Sequence, residues 1–195
     1  DGMSTAPQDV AGRVALVTGA SGDLGRTIAR TLAANGAHVA VHYRSGRARA
    51  EVVAADCRAF GVRAIAVGGD VADLAQMTAA HAVITAALGP VDIAVANAVS
   101  QIKWLHVLDQ PLDDYLDQFR TCVLHAAVLA KVCVPGMVAR KWGRFIGINT
   151  EVTIDCRAGS SAYAAGKGGM DRLLRCLARE VGSSGVTVNQ VSPGW

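Results

Sequence analysis

The stretch that decides the fold of this 195-residue chain reads Val14-Ala15-Leu16-Val17-Thr18-Gly19-Ala20-Ser21-Gly22-Asp23-Leu24-Gly25. An apolar run stops at Thr18, three glycines follow at three-residue spacing, and a pattern of helical period then begins. This order predicts a strand, a tight turn and the N-terminus of a helix. Glycine permits such a turn, and a helix start offers free N–H groups that favour a phosphate. We expect the pyrophosphate site of a dinucleotide fold here, although an ordinary glycine-rich turn has the same appearance.

Strands and helices alternate along the rest of the chain. The predicted strands cover 14–18, 39–43, 64–67, 91–96, 145–149 and 186–191. The predicted helices cover 26–35, 47–60, 73–88, 112–141 and 161–181, with a loop at 100–111. Short apolar strands separated by helices of this length indicate parallel βαβ units with right-handed crossovers. We expect an α/β fold, a Rossmann-type doubly wound parallel sheet in three layers, as one dinucleotide-binding domain at 14–195 after an N-terminal extension at 1–13.

Composition excludes several classes of protein. The net charge of +3 is small and the basic residues are scattered, which argues against a nucleic-acid partner. The longest uncharged run, 74–91, is interrupted by polar residues, and no signal-peptide pattern opens the chain, so we expect a cytoplasmic protein without a membrane partner. Five cysteines without a Cys-x-x-Cys pair indicate reduced, mostly buried thiols, and the histidines form no ligand pair, so no metal site is predicted.

Polar residues follow several of the predicted strands. The residue pairs in question are Tyr43-Arg44, Asp70-Val71, Asn97-Ala98, Asn149-Thr150 and Pro193-Gly194. The carboxyl ends of parallel strands form the ligand site of a doubly wound sheet. No acidic residue stands after the second strand to bind a ribose hydroxyl, whereas Arg44 is placed to pair with a 2′-phosphate. This favours NADP(H) over NAD(H), although the turn offers no second basic residue.

A second motif, Tyr163-Ala164-Ala165-Gly166-Lys167, lies on a predicted helix. Positions i and i+4 share one face of a helix, so the phenol and the ammonium lie together. A nearby cation stabilises the phenolate, and we expect it to lower the pKa of Tyr163. Tyr163 is then a candidate general acid or base. A solvated pair on a helix surface would show the same spacing. The motif therefore indicates a catalytic pair only in combination with the glycine turn.

From Val14 onward the chain resembles the short-chain dehydrogenases/reductases, of the single-domain kind that includes the 3-oxoacyl-carrier-protein reductases. The matching motifs stand in the family's order: the glycine turn, Asp70-Val71, Asn97-Ala98, Tyr163 with Lys167, and 188–194. The resemblance implies that Tyr163 protonates the carbonyl oxygen as hydride arrives, and that Lys167 binds the nicotinamide ribose and tunes the tyrosine. It also implies a final strand beyond the Pro-Gly pair, so we expect that strand and the C-terminal part of the domain to be missing from this chain.

Other functional positions are carried over by spacing. The family's catalytic serine position is occupied by Thr150, and the asparagine that supports a proton-relay water falls on Cys122, whose thiol is a weak donor. The family's Asn-Ala-Gly reads Asn97-Ala98-Val99, and Asp23 replaces a small residue of the turn, where it is positioned to cap the helix. The expected cofactor-binding residues are Thr18, Gly19, Ser21, Gly22, Asp23, Leu24, Gly25, Tyr43, Arg44, Asp70, Val71, Asn97, Ala98, Lys167, Pro193 and Gly194.

Two functions follow from this resemblance. The first is an NADP-dependent oxidoreductase that interconverts a ketone and a secondary alcohol, with a small or carrier-bound carbonyl substrate. The second is a catalytically weakened relative that binds a nucleotide or a partner subunit, which Cys122, Val99 and Asp23 favour. The family also implies a homodimer or homotetramer formed through the helices predicted at 112–141 and 161–181.

Overall fold

A computed structural model describes residues 10–194, so only residues 10–13 of the expected N-terminal extension fall within the described part. The strands are β1 (Val14–Val17), β2 (His38–Tyr43), β3 (Ala64–Gly68), β4 (Ile93–Ala96), β5 (Gly143–Ile148) and β6 (Val186–Val191). The helices are α1 (Asp23–Ala34), α2 (Arg47–Arg58), α3 (Leu74–Leu88), α4 (Leu112–Phe119), α5 (His125–Ala139), α6 (Val152–Asp155) and α7 (Ser161–Val181). A π-helical turn joins α4 to α5, and a 3₁₀ turn (Gly182–Ser184) follows α7.

The six strands form one parallel sheet in the order β3-β2-β1-β4-β5-β6. The order reverses between β1 and β4, which is the switch point where such sheets bind ligands. Val17 pairs with Val41 on one side and with Val95 on the other, so the ends of β1, β2 and β4 lie side by side. The predicted α/β doubly wound fold is therefore confirmed.

Helices cover both faces of the sheet, which gives the three expected layers. Under α1 and α2, one core cluster is built mostly from alanine and valine, with Ala29 and Ala33 of α1 fully inside. Under α3, α5 and α7, the second cluster contains larger side chains such as Met77, Leu129 and Phe145. The small residues let α1 approach the sheet closely, which brings its N-terminus to the end of β1.

The helix predicted at 112–141 is not continuous, because the π-helical turn Arg120–Leu124 interrupts it. The Thr121 hydroxyl donates to the Asp117 carbonyl oxygen (2.8 Å), and the His125 ring bonds the Thr121 carbonyl oxygen (3.1 Å). Such side-chain bonds compete with the regular helical ladder and permit a wider turn. The segment Leu112–Ala139 is long and apolar enough to cross a membrane by length and composition alone. Its inner side packs on the sheet through Leu129 and Met137, as expected of a core helix.

Smaller differences from the predicted bounds have local causes. Helix α1 begins at Asp23 rather than at 26, because Gly22 serves as the N-cap and the turn is shorter than expected. Strand β4 begins at Ile93 rather than at 91, and the Asp92 carboxylate instead accepts the Val14 N–H (3.2 Å). The four-residue helix α6 is too short to show a helical pattern in the sequence.

Candidate active site

The glycine turn wraps from the end of β1 into α1. Gly19 has a φ of +63°, and a Cβ placed there would lie 2.9 Å from the Ala98 Cα atom. A Cβ on Gly25 would overlap the Gly19 carbonyl oxygen and lie 2.7 Å from Nδ2 of Asn97. Gly22, the N-cap residue, places no side chain over the helix end, and no side-chain hydrogen bond caps α1. The first N–H groups of α1 are thus accessible to a phosphate, as a dinucleotide requires.

Neighbouring strands hold this turn in place. Asn97 Nδ2 donates to the Thr18 carbonyl oxygen (2.9 Å), and Thr18 Oγ1 accepts from the Asn97 N–H (2.9 Å) while it donates to Val95 (3.0 Å). Beneath the turn, the buried His42 ring accepts the Gly19 N–H on Nδ1 (3.4 Å). Thr18 and Asn97 therefore fix the turn from behind, and Thr18 is fully buried.

A cleft of about 700 Å³ runs along the carboxyl ends of the strands, from the glycine turn to Tyr163. Most of the predicted site residues line it, namely Gly19, Ser21, Asp23, Leu24, Gly25, Arg44, Val71, Asn97, Ala98, Thr150, Tyr163, Lys167, Pro193 and Gly194. The other predicted residues lie outside this lining, namely Thr18, Gly22, Tyr43, Asp70 and Cys122. The fold thus brings most of the residues of the two motifs to one continuous surface.

Two acidic residues near the cleft form ion pairs with arginines of this chain. Asp23 lies in the first turn of α1 with its carboxylate in solvent, 3.1 Å from Arg26, so the expectation that it caps the helix is wrong. Gly22 takes the cap position, and the Asp23 charge is still favourable beside the positive end of the helix dipole. Asp70 accepts the Ala72 N–H (2.9 Å) and lies 3.2 Å from Arg120 of the π-helical turn.

The end of β2 is more basic than the sequence suggested. Arg44 and Ser45 line the cleft, and so does Arg49, which lies on the first turn of α2. Gly46, with a φ of +83°, turns the chain so that the Arg49 guanidinium lies 3.1 Å from the position of a Gly46 Cβ. The expectation of a single basic residue here is wrong, because the turn folds a second one back from five positions further on.

Tyr163, Lys167 and Thr150 meet at the other end of the cleft. Tyr163 and Lys167 lie one turn apart on α7, with Lys167 Nζ 5.9 Å from the centre of the Tyr163 ring. Lys167 is buried, and its ammonium donates to the Ile148 carbonyl oxygen (2.6 Å) at the end of β5. Thr150 lies two residues beyond the end of β5, where its hydroxyl accepts the Val152 N–H (3.3 Å) and lies close enough to the Tyr163 phenol to influence its pKa. The three side chains thus form one polar cluster between β5 and α7.

Burial controls the protonation of this cluster. It raises the pKa of Tyr163, and the hydrogen bond from Thr150 opposes the rise. Burial also lowers the pKa of Lys167, since an ammonium loses hydration in the interior. The expectation that Lys167 lowers the pKa of Tyr163 is therefore wrong for the protein alone, because the ammonium is bound to Ile148 rather than to the phenol. Tyr163 stays protonated at neutral pH.

Cys122 lies in the π-helical turn and is fully buried. Its thiol donates to Oε1 of Gln118 (3.8 Å), and burial raises its pKa, so the sulfur remains a neutral thiol. Gln118 is itself buried and donates to Ser100 Oγ (3.0 Å). Of the remaining cysteines, Cys57 and Cys133 are buried and Cys156 and Cys176 are exposed, all as free thiols.

Several apolar residues of the cleft were not identified from the sequence. Ile102 and Trp104 lie on the loop between β4 and α4, and Val152 lies at the start of α6. The indole of Trp104 meets the Tyr163 ring edge to face, with ring centres 6.3 Å apart. No spacing rule points to such residues, because a loop without regular structure leaves no periodic pattern. Within residues 10–194, no group of three or more His, Cys, Asp or Glu side chains is placed to hold a metal ion.

A sheet of this order with a glycine turn and a tyrosine–lysine pair at its carboxyl edge is a nicotinamide-dependent dehydrogenase or reductase in architecture. The family model described as short chain dehydrogenase matches residues 13–195. The chain therefore belongs to the short-chain dehydrogenase family, and it is an NAD(P)-dependent oxidoreductase. The resemblance drawn from the motifs is confirmed.

Individual proteins agree with this assignment. A 3-oxoacyl-(acyl-carrier-protein) reductase, FabG, of Staphylococcus aureus is 34% identical over 183 residues, which span 93% of this chain and 73% of the relative. Among solved structures, NAD⁺-bound xylitol dehydrogenase superposes with a TM-score of 0.91 at 27% identity, over 96% of this chain and 72% of that one. A metagenomic short-chain oxidoreductase in complex with NADP has a TM-score of 0.88 at 28% identity, over 95% and 84% of the two chains.

Proposed function

We propose that this protein is an NADP-dependent oxidoreductase that interconverts a ketone and a secondary alcohol by hydride transfer, with 3-oxoacyl compounds among the candidate substrates. The observation that carries the proposal is the convergence of Tyr163, Thr150 and Lys167 at one end of a cleft whose other end is the glycine turn. The kinship with the Staphylococcus aureus 3-oxoacyl reductase supports the carbonyl chemistry.

The chain's own residues fit a dinucleotide. The glycine turn would hold the pyrophosphate on the free N–H groups of α1, and the space that a Cβ on Gly25 would fill is already occupied by backbone and by Asn97. Val71, Ala98 and Pro193 line the length of the cleft, and the Lys167 ammonium is placed for a ribose. When bound, the reduced nicotinamide would supply a hydride, that is, a proton together with two electrons, to the carbonyl carbon.

Arg44 and Arg49 support the preference for NADP(H). Both are exposed, and both face the cleft at the end of β2, where the ribose of a dinucleotide is read in this type of fold. Two guanidinium groups suit the double charge of a 2′-phosphate, and an uncharged 2′-hydroxyl gains little from them. NAD(H) binding is the weaker alternative.

Tyr163 acts as the proton donor in the direction of reduction. As the carbonyl carbon becomes tetrahedral, the former π electron pair moves onto its oxygen, and that oxygen takes the phenolic proton. The Thr150 hydroxyl, near the phenol, donates its hydrogen bond to the developing alkoxide and so holds that oxygen beside Tyr163. The Lys167 ammonium stays on the Ile148 carbonyl oxygen, and water returns a proton to the phenolate that remains.

A catalytically weakened relative is the second candidate, and Cys122 is the observation that favours it. A neutral thiol bonded to Gln118 is a poor support for a relay water. Purified protein incubated with NADPH and a panel of ketones decides between the two. NADPH consumption that depends on the ketone supports the reductase, and tight NADPH binding without turnover of any ketone supports the weakened relative.

The outer side of α4 supports a homodimer or homotetramer. This side carries three apolar residues at helical spacing, Leu112, Leu116 and Phe119, which are 79%, 62% and 49% exposed. Exposure of a contiguous apolar patch to water is unfavourable. A second copy that packs on α4, α5 and α7 would cover them. Light scattering that gives the mass of one chain would contradict this part of the proposal. A cytoplasmic location and the absence of nucleic-acid or membrane partners remain proposals from the sequence.

A further inference from the structure

Trp104 stands beside the proposed proton donor. Its indole meets the Tyr163 ring at an interplanar angle of 67° with 6.3 Å between ring centres, and 48% of the residue is exposed. Because the indole lines the cleft, part of its surface is available to a bound molecule. The indole therefore offers an aromatic surface beside the place where the proposed reduction occurs.

The loop that carries Trp104 is fastened on both sides to one residue of α4. Lys103 Nζ lies 2.7 Å from Asp114 Oδ1, and Gln110 Nε2 donates to Asp114 Oδ2 (2.6 Å). Asp114 has its pKa lowered, first of all by the hydrogen bond from Lys103, so it remains charged. The backbone at Trp104 also packs on Gly159, in the loop that precedes α7. These contacts fasten the loop on which the Trp104 indole lies beside Tyr163.

Three further apolar side chains line this end of the cleft. Val99 and Ile102 lie on the same loop as Trp104, and Val152 begins α6. Of the charged lining residues, Lys167 lies at this end, buried and bound to the Ile148 carbonyl oxygen, whereas Asp23, Arg44 and Arg49 belong to the glycine turn and the end of β2. Three strand spacings separate β2 from β5, about 14 Å. A carboxylate bound beside Trp104 would lose its hydration, the two arginines are too distant to pair with it, and the Lys167 ammonium is buried on the Ile148 carbonyl oxygen.

We propose that Trp104 determines substrate specificity, and that it selects neutral ketones that carry an aromatic ring close to the carbonyl group. The inference rests on the proposed ketone reduction and names the substrate class of that site. With the carbonyl oxygen on Tyr163 and Thr150, the ring packs on the exposed part of the indole. Aromatic pairs bind more tightly than their buried area alone explains, whereas a saturated ring of equal size gains only the area term.

Two ketones of similar size test the proposal, 4-phenylbutan-2-one and 4-cyclohexylbutan-2-one, because the ring stands two carbons from the carbonyl in both and the carbonyl groups have the same electronic surroundings. We expect kcat/KM with saturating NADPH to favour the phenyl ketone in the wild type by about threefold to tenfold. Trp104→Leu should remove that preference, and Trp104→Phe should restore most of it. Leu108→Ala, on the same loop but 97% exposed, is the control and should keep the wild-type ratio. Methyl 4-oxopentanoate should be reduced at least about tenfold faster than 4-oxopentanoate, since only the latter brings a carboxylate.

The outcomes separate this inference from the proposed function. If both cyclic ketones are reduced and Trp104→Leu leaves their ratio unchanged, the inference is wrong and the reductase stands. An equal loss for both ketones in Trp104→Leu would show that the indole only supports Tyr163, which also overturns the inference. Faster reduction of 4-oxopentanoate than of its ester contradicts the neutral substrate class. If no ketone is reduced while NADPH still binds, the proposed function itself fails and this inference with it.

Discussion

Lys167 shows how one buried charge organises the candidate site. An ammonium with 2% exposure needs hydrogen bonds to compensate for lost hydration, and the Ile148 carbonyl oxygen accepts one of its three. That bond ties α7 to the end of β5, where Thr150 follows two residues later. The position of the lysine thus fixes the distance between α7 and the sheet edge, and with it the meeting of Tyr163 and Thr150.

The first prediction concerns the Tyr163 hydroxyl. Tyr163→Phe removes the proton donor and keeps the ring that packs on Trp104, so kcat for ketone reduction should fall by about 10²- to 10⁴-fold. NADPH affinity should change little, because the glycine turn remains intact. Steady-state kinetics with a titration of NADPH fluorescence measure both quantities. Tyr115→Phe is the matched control, since the Tyr115 hydroxyl bonds Ser161 (2.7 Å) outside the cleft. A Tyr163→Phe enzyme with near wild-type kcat would refute the assigned role.

The second prediction concerns the two arginines at the end of β2. Arg44→Ala and Arg49→Ala should each weaken NADPH binding by about tenfold and leave NADH binding unchanged, because only the former cofactor carries the 2′-phosphate. The NADPH loss should shrink at high salt, since both guanidiniums are exposed. Arg47→Ala is the control, because that side chain pairs with Glu51 (3.8 Å) and does not line the cleft. Equal losses for NADPH and NADH would contradict the prediction.

At this scale the sequence predicted residues that lie on regular elements or in glycine-rich turns. Tyr163 and Lys167 follow from helical spacing, and Gly19 to Gly25 follow from the strand that precedes them. Arg49 could not be foreseen, because its approach to Arg44 depends on the left-handed turn at Gly46. Trp104 could not be foreseen either, since a loop held by an ion pair from Lys103 has no periodic signal.

At the scale of elements, the start of α1 is the most constrained part of the cofactor end. Gly25 lies in the first turn of the helix, where the backbone of Gly19 and the side chain of Asn97 leave no room for a Cβ. The helix can begin so close to β1 only because this residue has no side chain. The same packing aims the helix N-terminus into the cleft.

The third prediction follows from that packing. Gly25→Ala should cost about 1–3 kcal/mol of folding free energy by overpacking, and it should weaken NADPH binding by at least about tenfold, because the turn must move. Urea unfolding and cofactor titration test the two effects separately. Gly182→Ala is the control, as a Cβ there meets no atom within 4 Å. If Gly25→Ala binds NADPH as the wild type does, the turn is not the phosphate site.

Helices and strands were predicted best where a single hydrophobic period runs through the whole segment. The bounds of α7 and β6 agree with the prediction, because α7 follows a loop and ends at glycine. The break between α4 and α5 was missed, since no Gly or Pro within Arg120–Leu124 marks it. It arises from side-chain bonds of Thr121 and His125, which composition does not reveal.

At the scale of the whole molecule, the parallel sheet and its helical layers followed from the order of strands and helices. The order of strands and helices did not show which residues, distant in sequence, are buried together in the core. His42 on β2 lies in the core, where a charge on its ring would repel a charge on His125 of α5. Both rings are buried, and Nε2 of each has no hydrogen-bond partner among the described residues.

These two histidines couple the fold to pH. Loss of hydration on burial lowers the pKa of His42 to about 4 and that of His125 to about 3. In the unfolded chain the pKa of both rings returns to about 6.5, so below that pH the unfolded state binds protons that the folded state does not bind. The free energy of unfolding is therefore unaffected by these two rings above about pH 6.5. It falls progressively as the pH drops from there towards the folded pKa values.

The last prediction tests this coupling with His125→Leu, which removes one of the two rings and keeps an apolar side chain in its place. Between pH 7 and pH 5 each buried ring should cost the wild type about 2 kcal/mol of unfolding free energy. The drop measured for His125→Leu should therefore be smaller than that of the wild type by about 2 kcal/mol, since all carboxylates are common to both proteins. Urea unfolding at the two pH values and one protein concentration measures it. His106→Leu is the control, because that residue lies exposed in the loop before α4, and its drop should equal the wild-type value. Equal drops for His125→Leu and the wild type would show that the buried ring does not govern acid stability.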